Sequence, residues 1–519
     1  MFEVAELGNR IDKGTYNAAL PELRIALLQA QQALREANFP VFVLVSGVNG
    51  AGKGDTVNTL NEWMDPRWLQ AFSFGPLTDE ERERPEYWRF WRALTPKGRI
   101  GLYVGSWYSQ PIAARVEDEI NDAELDAALI RIRTFERALV DDGALVIKFW
   151  LHLSPERQKK RLKQLAANPD TAWQVTDQVR RHLKDYDKFR SIAEHTLRAT
   201  SMGEAPWIIV DGSDHRYRNL TVARHILDRI QKRLARQALI APEPAALDAA
   251  PVVNHARTIL DALDLEQQLD KKQYKQQLTE QQTRLRRLAR RAHERQISCI
   301  VVLEGWDAAG KGGIIRRIVP ALDARSYQII PIAAPTDEER GHHYLWRFWR
   351  HIPRAGYTTL YDRSWYGRVL VERVEGFAGR EEWMRAYAEI NDFERQLTEH
   401  GIVLLKFWLH IDADEQLRRF QEREQIPWKQ HKITEEDYRN RERAEDYVHA
   451  VNDMVERTST EYAPWHLIEG NDKRFARVKA IRLLADALAQ ALGDEVSGRD
   501  EPIHSDQVAE DKVSAKRKG

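Results

Sequence analysis

The segment from Ile300 to Gly313 reads IVVLEGWDAAGKGG, an apolar run followed by a glycine-rich loop. The loop matches the pattern G-x-x-x-x-G-K, and the helical-looking residues Ile314 to Ile318 follow it. Small residues in such a loop leave successive backbone N–H groups free to surround a phosphate, and the lysine adds a positive charge. The order of strand, loop, lysine and helix therefore predicts a P-loop. Its expected phosphate-binding residues are Gly305, Ala308, Ala309, Gly310, Lys311, Gly312 and Gly313.

The metal ligands of this loop cannot include its usual hydroxyl group. A Ser or Thr that ligates Mg²⁺ commonly follows the lysine, but here the residue after Lys311 is Gly312. Two carboxylates are candidates: Asp307 inside the loop, and Asp362 directly after the apolar run 358–361. Carboxylate oxygens are ligands that Mg²⁺ prefers in proteins. The sequence therefore predicts a Mg²⁺ site formed by Asp307 and Asp362.

Several charged residues follow Asp362 closely in the sequence. Arginine side chains bind phosphate oxygens through two parallel hydrogen bonds, so arginines beside a metal site suit phosphoryl transfer. The candidate site residues in this stretch are Arg363 for catalysis, Arg368 for phosphate binding, and Glu372 and Arg373 as further candidates.

The same short sequence motifs recur along the chain at a separation of 258 residues. WRFWR occurs at Trp88 and Trp346, and KFWLH occurs at Lys148 and Lys406. Solenoid repeats have periods of roughly 20 to 50 residues, so a period this long indicates two whole domains. We expect domains at 1–240 and 257–494, a linker in the Ala/Pro-rich stretch 241–256, and a disordered polar tail at 495–519.

Each half alternates apolar runs of strand length with long charged stretches of helical spacing. This alternation favours the α/β class, with a parallel sheet flanked by helices in each of two tandem P-loop kinase-like domains, and with a helical lid in each. The paired strand candidates are 41–45 and 300–303, 100–104 and 358–361, 145–151 and 403–409, and 207–210 and 465–468.

The two halves differ at the predicted site. Lys311 keeps its counterpart Lys53, whereas the charged residues around it are replaced. Asp307 becomes Asn49, Asp362 becomes Val104, Arg363 becomes Gly105, Arg368 becomes Gln110 and Glu372 becomes Ala114. Loss of both aspartates removes the charges that would hold Mg²⁺. We therefore expect the N-terminal domain to be catalytically silent, with Lys53 as a remaining phosphate ligand if it binds one.

The halves also differ after the third predicted strand. Arg423 corresponds to Leu165, Lys432 to Gln174 and Asp437 to Val179. Charged residues found only in the C-terminal copy predict a mobile lid over the phosphates, with Arg423 as a catalytic residue, Lys432 as a phosphate-binding residue and Asp437 as a further candidate. Drift on a solvated helix face is the alternative explanation for each position.

Composition excludes several classes of protein. Lys plus Arg and Asp plus Glu number 79 each, so no overall field favours binding to nucleic acid or an anionic membrane. No run approaches the ~18 apolar residues of a membrane helix. The single cysteine, Cys299, lies in an apolar run and predicts a buried thiol, and the N-terminus lacks an export signal. We expect a cytoplasmic protein with no nucleic-acid or membrane partner.

Other motifs are better explained by structure than by chemistry. WRFWR persists in the copy that lacks metal ligands, which favours core packing over nucleotide stacking. Thr336 followed by Glu339 is typical of a helix capping box. His342 and His343 have no spaced Cys or His partner, so a metal role is not predicted.

Five motifs occur in order between residues 295 and 475. They are GWDAAGKGG at Gly305, YDRSWYGR at Tyr361, VERV at Val371, KFWLH at Lys406 and ERTSTE at Glu456. Together they resemble the second family of polyphosphate kinases, and the duplicated chain is similar to the class in that family that phosphorylates AMP. The N-terminal half resembles the family more weakly.

The resemblance implies that inorganic polyphosphate donates a terminal phosphoryl group to a nucleotide, with Mg²⁺ held through Asp307 and Asp362. Lys311, Arg363 and Arg423 would contact the transferring phosphate chain. AMP to ADP is the expected reaction. The alternatives are phosphorylation of ADP or GDP to the triphosphate, an NTP-dependent nucleotide kinase, and a non-catalytic polyphosphate or nucleotide sensor.

Duplicated domains often take the place of two subunits of a homo-oligomer. We therefore expect the silent domain to substitute for a neighbouring subunit, and the chain to form a homo-oligomer, with a dimer favoured.

Overall fold

Five parallel strands form the centre of each half of the protein. The computed structural model describes residues 1–239, 258–427 and 435–494, with the side chains at 238–239 and 435–437 left aside. The predicted linker at 241–256 and the predicted tail at 495–519 lie outside those residues. Within the described ranges, no helix is both long and apolar enough to cross a membrane.

The strands of the two halves match at the same offset of 258 residues as the sequence motifs. In the first half they are β1 (Val41–Gly47), β2 (Leu69–Ser73), β3 (Ile100–Val104), β4 (Leu145–His152) and β5 (Trp207–Asp211). In the second half they are β6 (Cys299–Gly305), β7 (Tyr327–Pro331), β8 (Thr358–Asp362), β9 (Val403–His410) and β10 (Trp465–Glu469). The order across the sheets is β2-β3-β1-β4-β5 and β7-β8-β6-β9-β10. The predicted α/β class and parallel sheets are confirmed.

Helices connect and cover these strands. The first half contains α1 (Glu3–Glu6), α2 (Lys13–Leu34), α3 (Lys53–Trp63), α4 (Asp79–Arg82), α5 (Trp88–Arg92), α6 (Ser109–Val116), α7 (Asp122–Asp141), α8 (Pro155–Ala167), α9 (Asp177–Lys184), α10 (Tyr186–Thr200) and α11 (His215–Leu239). The second half contains α12 (Lys271–Glu294), α13 (Lys311–Ile318), α14 (Asp337–Arg340), α15 (Trp346–Trp349), α16 (Val371–Val374), α17 (Arg380–Glu399), α18 (Ala413–Gln425), α19 (Glu435–Glu442), α20 (Ala444–Thr458) and α21 (Lys473–Ala491).

Short 3-10 helices lie at Pro66–Trp68, Ala172–Gln174, Ile259–Ala262, Val319–Ala321 and Trp365–Arg368. The chain divides into two compact units. Among the described residues, one unit contains 1–76, 89–239 and 336–343, and the other contains 77–88, 258–335, 344–427 and 435–494.

The edge strands β2 and β7 were not predicted from the sequence. The apolar runs of β1 and β6 are buried along nearly their whole length because helices cover both faces of a parallel sheet. In β2 and β7 most side chains are exposed or half-buried, so their sequences LQAFS and YQIIP lack a continuous apolar run. Sequence reasoning therefore found four strands in each half where the structure has five.

Several smaller predictions are confirmed. Cys299 is a buried free thiol, and burial raises its pKa to about 12. Trp346, Phe348 and Trp349 of the WRFWR motif are buried in the core. The Thr336 side chain accepts a hydrogen bond from the backbone N–H of Glu339, whose carboxylate accepts one from the backbone N–H of Thr336, so the capping box is present.

A buried ion pair holds the segment that follows β8 in the second half, and an equivalent pair holds the segment that follows β3 in the first half. Lys406 Nζ lies 2.7 Å from Glu394 Oε2, and neither side chain is exposed to solvent. Lys406 also donates to the Tyr366 hydroxyl and the Thr458 carbonyl, at 2.8 and 2.7 Å. Such a pair costs free energy to bury unless all its polar groups are bonded. The first half repeats the arrangement with Lys148.

Candidate functional site

The P-loop follows the central strand β6. Gly305 and Gly310 have φ angles of 145° and 118°, which favour glycine, and α13 begins directly afterwards at Lys311. A side chain at Gly305 would collide with the backbone of Leu409, since its Cβ would lie 2.4 Å from the Leu409 carbonyl oxygen. The glycine at this position therefore allows β6 and β9 to pack closely at the start of the loop.

Asp362 lies beside the loop because of the sheet order. The strands β6 and β8 are parallel neighbours, and Leu303 is paired with Asp362. The carboxyl ends of parallel strands meet at one edge of the sheet, where ligands of open α/β sheets bind. Asp362 and the P-loop consequently face the same cleft.

This cleft, which we call the P-loop cleft, has a volume of about 420 Å³. Its charged lining residues are Asp307, Lys311, Arg316, Asp362, Arg363 and Arg423. The loop residues Ala308, Ala309, Gly310, Gly312 and Gly313 also line it. The structure thus brings the predicted catalytic residues and most of the predicted phosphate-binding residues into one place.

The Lys311 ammonium group is folded onto the loop. It donates to the carbonyl oxygens of Gly305 and Trp306, at 2.6 and 3.2 Å. Burial lowers the pKa of Lys311, and the carboxylates of Asp307 and Asp362 oppose that shift. The positive charge of Lys311 therefore interacts with the negative charges of both predicted metal ligands.

Asp307 has several partners. Its carboxylate accepts hydrogen bonds from Arg363 at 3.1 Å and from the side-chain amide of Asn440 at 2.9 Å. Burial raises the pKa of Asp307, but Lys311 and Arg363 outweigh burial and the net shift is downward. An ionised carboxylate in this position can bind a cation.

The residues present fit a Mg²⁺ site of the kind that substrates complete. Among the described residues, no group of three or more His, Cys, Asp or Glu side chains forms a full metal site. Mg²⁺ is commonly bound through one or two carboxylates together with substrate phosphates and water. Asp307 and Asp362, which line the same cleft, supply that number of carboxylates.

Arg363 adopts an unusual backbone conformation. Its φ angle is 64°, and that of Ala308 is 63°. The equivalent positions in the first half are Gly105 and Gly50, with φ angles of 65° and 81°. A left-handed residue other than glycine costs about 1–2 kcal/mol. The second half therefore keeps a strained arginine where the first half has a glycine, which is expected where a side chain has a function.

Glu304 is a site residue that sequence reasoning missed. It ends the apolar part of β6, is 4% exposed, and accepts a hydrogen bond of 2.7 Å from the Ser364 hydroxyl. Burial raises its pKa, while Ser364, Lys311 and Arg363 act in the opposite direction. Its counterpart in the first half is Ser46, so a comparison of the two copies contained the signal.

Arg419 was also missed. It is 2% exposed, and its guanidinium donates to the carbonyl oxygens of Ala308 and Ala309, at 3.0 and 2.8 Å. It also bonds the carbonyls of Gly470 and Asn471. Arg419 therefore links α18 to the P-loop and stabilises the loop conformation. Its counterpart Arg161 is also arginine, so a comparison of the copies could not have singled it out.

A second opening lies on the α18 and α21 side of the loop, and we call it the basic cleft. It has a volume of about 360 Å³ and shares Arg423 with the P-loop cleft. Its charged lining residues are Arg419, Glu422, Arg423, Lys473 and Arg477. Four of these five side chains are cationic, which suits a polyanion.

An aromatic pocket opens beside Asp307 and Arg363. Its walls include Trp306, Trp408 and Tyr447. The Trp306 ring lies 5.9 Å from Trp408 and 6.2 Å from Tyr447, in edge-to-face arrangements. Such a pocket suits an apolar or aromatic group next to a charged site.

The remaining predicted residues are placed away from these openings or outside the described part of the chain. Arg368 forms an ion pair of 3.2 Å with Glu372, and Arg373 bonds Asp453 and the Tyr387 hydroxyl. Arg368, Glu372 and Arg373 do not line the P-loop cleft. Lys432 lies outside the described residues. Asp437 is in α19, at a position whose side chain also lies outside them.

The family described as Polyphosphate kinase 2 (PPK2) matches residues 10–238 and 268–495. A protein of Pseudomonas aeruginosa named Polyphosphate:AMP phosphotransferase is 55% identical over 494 residues, which cover 95% of this chain and 99% of that protein. A protein of the same name from Acinetobacter johnsonii is 37% identical, over 90% of this chain and 96% of that protein.

A solved structure from Pseudomonas aeruginosa, described under the name polyphosphate kinase 2, has a TM-score of 0.85 to this chain. It is 53% identical and covers 95% of this chain and 100% of that one. Both halves of this chain therefore have counterparts in a protein of the same tandem design.

Proposed function

Because the chain belongs to the polyphosphate kinase 2 family, we propose that it transfers the terminal phosphoryl group of inorganic polyphosphate to AMP and forms ADP. The observation that carries this proposal is the P-loop cleft, where Lys311, Arg363 and Arg423 surround the space in front of Asp307 and Asp362. The printed names of the full-length relatives favour AMP as the acceptor.

The site residues would act mainly by positioning and by neutralising charge. A nucleotide phosphate already carries nearly two negative charges at neutral pH, so its attacking oxygen needs no strong base. Lys311 and Arg363 would bind the transferring phosphoryl group, and Arg423, which lines both clefts, would bind the donor chain. Mg²⁺ bound through Asp307 and Asp362 would offset the charge of the phosphate oxygens.

The two openings on either side of the loop suit the two substrates. The basic cleft, with Lys473 and Arg477, matches the charge of polyphosphate. The aromatic pocket, with Trp306 and Tyr447, suits the base of the nucleotide. Both openings reach the loop, as transfer between two substrates requires.

The first half is proposed to be catalytically silent. Its P-loop keeps Lys53, but the other positions differ. Ser46, Asn49, Val104 and Gly105 stand where the second half has Glu304, Asp307, Asp362 and Arg363. A Lys311→Met variant is expected to lose turnover, whereas Lys53→Met is expected to keep it. The homo-oligomer, with a dimer favoured, stays a prediction that the mass in solution tests.

Separation of nucleotides after incubation tests the function. The purified chain is mixed with Mg²⁺, long-chain polyphosphate and either AMP or ADP, and a parallel reaction contains ATP as donor. ADP formed from AMP only with polyphosphate is the expected result. Turnover driven by ATP alone would favour the ordinary nucleotide kinase, and no turnover with either donor would favour the sensor.

A further inference from the structure

Helix α8 of the first half carries an excess of positive charge that its counterpart lacks. Its basic residues are Arg157, Lys159, Lys160, Arg161 and Lys163, against the single acid Glu156. The equivalent helix α18 contains four acids, Asp414, Glu415, Glu422 and Glu424, and three arginines. The same element is therefore basic in the silent copy and nearly neutral in the active one.

Most of the positive charges of α8 point to solvent, whereas Arg157 is half-buried and lies 3.5 Å from Asp211. Gln158, Leu162 and Leu165 form its buried face, at the spacing expected for one side of a helix. Lys159, Lys160 and Lys163 are exposed. Glu156 is the single acid on this exposed side of the helix. A solvated helix surface needs charge of either sign, so a face with three lysines and one acid suggests an anionic ligand.

Arg161 is part of the exposed face of α8 because Arg218, rather than Arg161, bonds the P-loop carbonyl of the first half. In the second half the equivalent Arg419 is buried against the P-loop carbonyls. In the first half Arg218 of α11 donates to the Ala51 carbonyl at 3.1 Å and is 4% exposed. The Arg161 side chain is 43% exposed and pairs only distantly, at 3.8 Å, with Asp55.

Arg161 also connects the basic face to the silent P-loop. Its Cγ lies 3.3 Å from the position that a Cβ would take at Gly50. The next loop cation, Lys53, donates to the carbonyls of Gly47 and Val48, at 2.8 and 3.1 Å. Burial alone lowers the pKa of Lys53 to about 8. Arg161 therefore places one cation of α8 against the loop, where it also faces the carboxylate of Asp55 at 3.8 Å.

This surface does not need a metal to attract phosphate. The carboxylates Glu304, Asp307 and Asp362 surround Lys311 in the active copy, and their charge must be offset before phosphate can bind. In the silent copy these positions are uncharged. Lys53 and the α8 cations can thus meet a polyanion directly.

We propose that the first half binds inorganic polyphosphate without metal, on the surface formed by Lys159, Lys160, Arg161 and Lys163 beside its P-loop. The site would hold the long donor substrate without acting on it, so the inference rests on the proposed function for the choice of polyanion. A free nucleotide is too short to contact the whole face.

The test measures binding of end-labelled long-chain polyphosphate to the full-length chain in excess EDTA. The triple variant Lys159→Gln, Lys160→Gln, Lys163→Gln is compared with a matched control, Lys271→Gln, Lys272→Gln, Lys275→Gln, which removes the same charge from exposed positions of α12. The α8 variant is expected to weaken binding at least about tenfold and to lower the slope of log Kd against log salt by about 2, since each phosphate contact contributes roughly 0.7 in a single-stranded polyanion. The control is expected to change neither quantity.

Three outcomes would overturn the proposal. The first is equal binding of polyphosphate by the two triple variants, and the second is the absence of binding by the unmodified chain in EDTA. The third is an α8 variant that loses as much affinity for single-stranded RNA as for polyphosphate, which would make α8 a general polyanion surface. ADP formation by the α8 variant at saturating polyphosphate is expected to stay within about twofold of the unmodified chain. Failure of the proposed function would appear separately, as absence of ADP with the unmodified chain.

Discussion

The carboxylate of Glu304 accepts a hydrogen bond of 2.7 Å from the Ser364 hydroxyl and joins the strand before the P-loop to the turn after Asp362. That turn contains Arg363, whose φ angle is 64°. In the first half, Ser46 occupies the position of Glu304, and the hydroxyl of Ser106, the counterpart of Ser364, is buried with no hydrogen-bond partner among the residues that the structure describes. We therefore expect Glu304 to be a positioning residue of the second half, which acts through Ser364 on Arg363.

Replacement of Glu304 tests this role. Glu304→Ser, which introduces the residue of the first half, is expected to lower kcat/KM about 10- to 100-fold because a small displacement of Arg363 misaligns the transferring group. Glu304→Gln keeps an oxygen that can accept from Ser364 and is expected to recover much of the rate. Steady-state kinetics with AMP and polyphosphate measure both.

The matched control is Ser46→Ala, which is expected to leave turnover unchanged. If Glu304→Gln were as slow as Glu304→Ser, the charge of Glu304 rather than its hydrogen bond would matter. Unchanged kinetics in Glu304→Ser would remove the residue from the site.

Arg363→Gly separates function from stability. The substitution removes the strain of a left-handed arginine, so the free energy of unfolding is expected to stay equal or to rise by up to about 1 kcal/mol. Turnover is expected to fall at least about 100-fold, because the guanidinium that faces the P-loop is lost. Thermal unfolding and initial rates measure the two effects.

The first half offers a control for the strain. Gly105→Ala is expected to destabilise the protein, because φ is 65° there and a Cβ would lie 2.8 Å from the Phe74 carbonyl oxygen. A slow but markedly less stable Arg363→Gly variant would argue that Arg363 supports the fold rather than the reaction.

Asp307→Asn and Asp362→Asn test the metal site. Each is expected to lower turnover about 100-fold or more and to raise the Mg²⁺ concentration for half-maximal rate, because a neutral amide binds the cation weakly. A Mg²⁺ titration of initial rates measures the shift. Asn49→Ala in the first half is the matched control, with no expected change, and a normal Mg²⁺ dependence in both Asn variants would reject the assignment.

His410 gives a pH dependence of stability. Burial lowers its pKa from 6.5 to about 4 in the folded protein, and its Nδ1 accepts a hydrogen bond of 3.0 Å from Trp306. The unfolded state therefore binds the proton more tightly, and the contribution of His410 is complete above about pH 6.5 and is lost as the pH falls towards 4.

Urea unfolding midpoints at pH 5 and pH 7.5 measure this effect. The drop between them is expected to be smaller in His410→Gln, whose side-chain oxygen can still accept from Trp306. Some drop remains, because burial also lowers the pKa of His152 and His182. An equal drop in both proteins would contradict the assignment to His410.

Comparison of the two halves indicated candidate site residues because the copies share a fold but differ in charge. The P-loop pattern predicted Lys311, the comparison of the halves pointed to Asp307, Asp362, Arg363 and Arg423, and the structure places all five around the P-loop cleft. The supporting contacts were not accessible in the same way. Asn440, whose amide bonds Asp307, lies 133 residues away in the chain, and only the packing of α19 brings it there.

The sequence by itself determined the duplication, the parallel α/β class and the P-loop, because apolar runs, glycine spacing and a fixed repeat are local properties of the chain. The tertiary structure decided which charges meet. Glu304 became a site residue because β6 lies beside β8, and Arg161 became a surface cation because Arg218 braces the loop in its place. Both depend on packing between residues far apart in sequence, where burial and hydrogen-bond geometry rather than residue type decide the role of a side chain.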